Sequence, residues 1–166
     1  MTSDSVESEW HRSLKIAAMT PEDLEEVLAI ERRVFPSAWS RGSYERELRN
    51  ANSYYYAARS KETLLGYVGF WVILNEAHIT TIAVHTDWQR RGIGARLLQL
   101  AIDIARHHGA KMVTLEVREG NRPALALYRK FGFQQTGYLP RYYGDTHENG
   151  VVMRKPLTRE ETADPL

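Results

Sequence analysis

The chain has 166 residues, with 22 Lys and Arg against 21 Asp and Glu, and it contains no cysteine. That length suits one domain with a sizeable core, and a net charge of +1 argues against a broad nucleic-acid or membrane footprint. Without cysteine, disulfides, thiolate metal sites and a cysteine nucleophile are excluded.

Residues 1–12 are polar and acidic and lack the basic-then-apolar pattern of a secretory leader. They are expected to form a disordered tail, as are residues 158–166, around one domain at 13–157. No stretch is long and charge-free enough to cross a membrane, so a cytoplasmic protein is expected. Residues 14–19 predict a short strand. Thr20-Pro21-Glu22-Asp23 then reads as a helix start: a hydroxyl cap, proline in the first turn, and acids where the helix dipole favours them. Leu24, Val27, Leu28 and Val34 give that helix its buried stripe. Phe35-Pro36 ends it, and Ser40 caps a second short helix carrying Tyr44 and Leu48 on one face. The connection at 35–40 is unusually aromatic. It is either a plug over the core or, through Trp39, a surface that meets substrate.

Residues 53–59 and 64–74 predict two strands joined by a polar turn at 60–62. The next strand, 78–84, has a flaw in its alternation, because Ile79 and Ile82 have opposite parity. Either a β-bulge restores one apolar face, or the strand is buried on both. Residues 82–95 then read Ile-Ala-Val-His-Thr-Asp-Trp-Gln-Arg-Arg-Gly-Ile-Gly-Ala and lead through a glycine loop into a helix bearing Leu97, Leu98, Ala101, Ile102 and Ala105. This is either an anion cradle or an ordinary strand-to-helix turn with two glycines. Gly92 and Gly94 let backbone approach a ligand, the N–H groups of the helix's first turn point at it, and Arg90 and Arg91 add charge. No Lys-Ser or Lys-Thr follows, which excludes a Walker loop, and Leu97 stands where a dinucleotide fingerprint has its third glycine.

Gly109 can end that helix, and residues 111–117 predict a strand with Glu116 near its end. Asn121 precedes a further helix with Pro123 in its first turn. Ala124, Leu125, Leu127, Tyr128 and Phe131 form its apolar face, and Gly132 stops it. Residues 133–139 and 151–155 read as a last strand pair around the long loop 140–150. Strand, two helices, three strands, helix, strand, helix and two strands make an α/β fold with a mixed sheet. Taken singly, Glu116 is a strand-end carboxylate, Tyr128 a packing tyrosine and Asn121 a cap. His11, His78, His85 and His147 show no ligand spacing, His107 and His108 suit a helix end, and no metal is expected. Tyr54–Tyr56 read as strand rather than a base-stacking platform, so no nucleic-acid binding is expected.

Gln89, Gly92 and Gly94 match the Gln/Arg-x-x-Gly-x-Gly/Ala loop of the GNAT acetyltransferases. Residues 115–133, Leu-Glu-Val-Arg-Glu-Gly-Asn-Arg-Pro-Ala-Leu-Ala-Leu-Tyr-Arg-Lys-Phe-Gly-Phe, are similar to the second signature of that family. With Asn75-Glu76-Ala77, Ile82-Ala83-Val84 and Arg141-Tyr142-Tyr143, the chain from about 14 to 157 resembles more narrowly the RimI-type N-alpha-acetyltransferases. The resemblance implies the acyl-CoA N-acyltransferase fold, a central mixed, mostly antiparallel sheet flanked by helices, with acetyl-CoA as cosubstrate. It implies Glu116 as general base through water and Tyr128 as general acid toward the departing thiolate. Asn121 and the backbone of Ile82, Ala83 and Val84 would hold the pantetheine arm, and Gln89, Arg90, Arg91, Gly92, Ile93, Gly94 and Ala95 the pyrophosphate. The candidates to meet the substrate are Trp39 and the loop residues Arg141, Tyr142 and Tyr143, unless the two tyrosines simply pack the final hairpin. The implied reaction is direct transfer to the amino terminus, an alanine, of a small-subunit ribosomal protein, by a monomer. Two other functions are compatible: acetylation of lysine or a small amine, and a non-catalytic acyl-CoA-binding module, against which Glu116 and Tyr128 argue.

Overall fold

The computed structural model describes residues 9–157. Residues 9–13 are helical (α1) and lead into β1 (Leu14–Ala18) and a 3-10 turn at Pro21–Asp23. Helices α2 (Leu24–Val34) and α3 (Arg41–Arg49) follow, then β2 (Ser53–Ser60), β3 (Thr63–Ile73) and β4 (Glu76–Val84). A second 3-10 turn at Thr86–Trp88 precedes α4 (Ile93–His107), β5 (Met112–Arg118), α5 (Arg122–Lys130), β6 (Gln134–Leu139) and β7 (Gly150–Pro156). The strands form a mixed sheet in the order β1-β2-β3-β4-β5-β7-β6. β4 and β5 run parallel, while β1–β2, β5–β7 and β6–β7 are antiparallel. This is the α/β fold with a mixed sheet expected from the order of elements.

The chain divides into two compact units, Met1–Phe70 with Thr81–Leu100, and Trp71–Thr80 with Ala101–Leu166. In the first unit, Leu24, Val27, Leu28 and Ile30 of α2 pack with Tyr44, Tyr55, Leu64, Tyr67 and Ala83. Asp23 accepts a hydrogen bond from the Thr20 N–H at 2.8 Å and pairs with Arg59 at 2.7 Å, which fixes the turn that leads into α2. The Ser40 hydroxyl caps α3 by accepting from the Ser43 N–H at 3.1 Å. A buried carboxylate lies among these apolar groups. Glu31, 2% exposed, accepts from the Tyr44 and Tyr67 hydroxyls and, at 3.2 Å, from the Trp39 N–H. Burial raises both phenols far above their usual range, so they remain donors.

Two expectations change here. Residues 9–12, read as tail, are helical, and Trp10 is buried, stacked on His11 and edge-on to Trp88 with ring centroids 5.9 Å apart. One indole covers enough apolar surface to order a polar segment. Residues 1–8 and 158–166 lie outside the described residues. In β4, Ile79 and Ala83 keep one parity and are buried, whereas Ile82, of the other parity, is half-buried. The strand is thus buried on one face and only half-buried on the other, so burial on both faces is not met.

In the second unit β5 alternates strictly. Val113, Leu115 and Val117 are buried, while Met112, Thr114, Glu116 and Arg118 share the other face. β7 lies between β5 and β6 and pairs Glu116 with Val152 and Arg118 with Gly150. Phe133, expected as the first residue of the last strand pair, precedes β6 by one position and is buried against the Tyr128 ring at 5.8 Å.

Candidate active site

The first unit carries the candidate anion cradle. β4 ends at Val84, and the His85 N–H donates to the Leu65 carbonyl at 2.7 Å. The Gln89 amide donates back to the Val84 carbonyl at 3.2 Å, so this side chain fastens the turn. Arg90 (φ 63°) and Gly92 (φ 84°) are both left-handed, and such alternation curls successive N–H groups inward to form an anion nest. A Cβ built on Gly92 would meet nothing within 4 Å. The space in front of this backbone is open, and any side chain at that position would enter it. Gly94 lies instead inside the first turn of α4. Ile93 is buried in the core and offers only its backbone to the cradle. The Arg91 guanidinium lies over the Trp88 ring at 4.8 Å, and Arg90 is exposed. Nest donors, an N-terminal helix dipole and two arginines fit a pyrophosphate.

The second unit carries the candidate acid–base groups. The parallel pairing of β4 with β5 sets His78 opposite Thr114, two residues from Glu116 on the same face. His78 Nε2 and Glu116 Oε2 lie 2.5 Å apart, with the side chains 23% and 26% exposed. That is hydrogen-bonding distance, and the pair remains open to water. His78, passed over in the sequence because it has no motif neighbour, also lies 5.2 Å from the Trp71 ring. Tyr128 is buried, and burial, reinforced by Tyr143, holds its phenol above the usual range and therefore protonated. Tyr143 is half-buried and its phenol is pushed up to about 12, by burial first. Arg118 opposes that shift, and Tyr142, Glu116 and Glu148 add to it. Glu116, Tyr128 and Tyr143 thus form one electrostatic neighbourhood. Asn121 is exposed and caps α5 through its Oδ1, which accepts from the Ala124 N–H at 3.3 Å, while its amide remains a donor.

The expected substrate residues are placed as follows. Trp39, in the first unit, packs at 5.5 Å from the Tyr44 ring and is otherwise exposed, so its ring serves both the core and the surface. In the second unit Arg141 and Tyr142 are exposed, and the Tyr142 ring lies 5.1 Å from that of Tyr143. Among the described residues no group of three or more His, Asp or Glu is arranged to hold a metal ion.

The sequence matches the model of the acetyltransferase (GNAT) family over residues 24–133. It is 38% identical over 146 residues to N-alpha-acetyltransferase RimI of Mycobacterium tuberculosis, covering 84% of this chain and 90% of that protein. It is 31% identical over 147 residues to the ribosomal protein bS18-alanine N-acetyltransferase of Salmonella typhimurium, covering 86% and 97%. Among solved structures, the ribosomal-protein-S18-alanine N-acetyltransferase of Escherichia coli matches with a TM-score of 0.80 and 28% identity, covering 89% of this chain and 97% of that one.

Proposed function

The chain belongs to the GNAT acetyltransferase family, and on that premise we propose that it is a protein N-alpha-acetyltransferase whose donor is acetyl-CoA. The proposed acceptor is the free terminal alanine of a small-subunit ribosomal protein, a reading supported by the names of the relatives. The observation that carries the chemistry is the Glu116–His78 contact on the open face of β5.

Bound acetyl-CoA supplies a thioester carbonyl that an amine can attack. The nest at Arg90–Gly92 and the first turn of α4 hold the pyrophosphate, and Arg91 contributes charge there. Glu116, through water, takes the proton that the incoming ammonium must lose, and His78 shares that proton across their contact. Tyr128 holds its own proton until a basic sulfur leaves, and then gives it up. The task is matched to an α-amine. Presenting a neutral amine at pH 7 costs about 1.4 kcal/mol for an amino terminus and about 4.6 kcal/mol for a lysine. One carboxylate working through water meets the first demand far more easily.

Glu116→Gln tests this directly. The expected result is a loss of about a hundredfold in kcat at pH 7 with coenzyme affinity retained. The loss shrinks as the pH passes ~8, where the α-amine deprotonates unaided. An unchanged rate on the acid side of the profile removes Glu116 from the reaction.

A further inference from the structure

Arg118 has partners that the proposed chemistry does not use. It lies two positions beyond Glu116 on the same face of β5, and its side chain reaches into the loop at 140–149. Nη1 donates to Asp145 Oδ1 at 3.0 Å and Nη2 to Asp145 Oδ2 at 2.8 Å, a two-pronged pair. Nη1 also donates to Thr146 Oγ1 at 2.9 Å and to Glu148 Oε1 at 3.4 Å. The guanidinium carbon sits 4.0 Å from the centre of the Tyr143 ring. The Arg118 and Asp145 side chains are 17% and 19% exposed, and the two-pronged geometry is the stronger form of such a pair.

We propose that Arg118 is a positioning residue, which latches this loop and seats Tyr143 so that the loop receives the first residues of the acceptor peptide. The inference rests on the N-alpha reading above and adds to it the residue that shapes the peptide's side of the site. The loop needs such an anchor. Arg141 (φ 50°) and His147 (φ 57°) are left-handed without being glycine, at a cost of about 1–2 kcal/mol each. Internal hydrogen bonds offset part of this: Tyr143 N–H to the Glu148 carbonyl at 3.2 Å, His147 N–H to the Tyr143 carbonyl at 2.8 Å. Tyr142 is seated too, because a Cβ on Gly150 would come within 3.1 Å of its ring. The Tyr143 phenol senses the charge of Glu116 and in turn acts on Tyr128. The side chain that rests on Arg118 is therefore the one within electrostatic reach of both proposed acid–base groups. A lysine supplies charge but neither the fork nor the flat face.

The test compares Arg118→Met, Arg118→Lys and Asp145→Asn with the wild type. Three quantities are measured: peptide KM, coenzyme Kd, and the rate of trypsin cleavage after Arg141. Arg118→Met is expected to raise peptide KM about tenfold, leave coenzyme Kd unchanged, and speed cleavage. Arg118→Lys recovers part of the loss, and Asp145→Asn repeats it more mildly, which guards against a misfolded methionine variant. Faster cleavage with unchanged peptide KM overturns the positioning role, and unchanged cleavage overturns the latch. A wild-type protein that releases no thiol with any free-terminus peptide contradicts the N-alpha reading itself, which separates the two failures.

Discussion

At Tyr128 burial decides the protonation state. Ionising a phenol there means placing charge where water does not reach, so the folded pKa is raised. A raised pKa preserves the proton-donating form, and that form is lost only as pH climbs through the folded value. The rate is therefore expected to keep its plateau beyond pH ~10, where an unperturbed phenol is half ionised. Tyr128→Phe should slow turnover by about a hundredfold along that plateau while coenzyme binding survives. A fully active phenylalanine variant, read by steady-state thiol release, returns Tyr128 to packing against Phe133. Glu116 and His78 differ from Tyr128 in exposure. Their side chains are 26% and 23% exposed, which leaves water access to the proposed base.

At the scale of the element, the turn between β4 and α4 shows what one glycine contributes. Gly92→Val places a branched side chain at φ 84°, a strain of about 1–2 kcal/mol. The added carbon points into open space, so the fold survives with a midpoint lowered by roughly 2–4 °C per kcal/mol. Coenzyme affinity is expected to fall at least about tenfold, because the nest donors are then screened. Calorimetry showing wild-type affinity in a folded Gly92→Val protein takes the nest out of the site. This element was legible in the sequence because its signals are local: a strand end, glycines, and an amphipathic helix within one short run. The caps at Ser40 and Asn121 were legible for the same reason. Trp10 was not, because the polar residues around it mask one aromatic in any local window. Nor was Glu31, whose charge in the α2 stripe makes sense only once Tyr44 and Tyr67 donate to it from α3 and β3.

At the scale of the molecule, the sheet gathers what the sequence scatters. β4 lies beside β5 and brings His78 to Glu116 across 38 residues. β7 pairs with the other edge of β5, so the loop that precedes it meets Arg118 across 27 residues. Neither encounter has a local signal, since each depends on which strands pair and in what register. The family motif marked Glu116 and Tyr128. The groups that steady Glu116 and the loop appear only in the assembled sheet. That this machinery serves an amino terminus is tested by a set of matched peptides assayed with acetyl-CoA by thiol release and mass spectrometry. Half carry a free N-terminal alanine; the rest are the same peptides blocked at the terminus and carrying an internal lysine. Acetylation is expected on the alanine amine, with little on the blocked peptides. Blocked lysine peptides reacting as fast as the free-terminus ones would contradict it and leave only the broader acetyltransferase assignment standing.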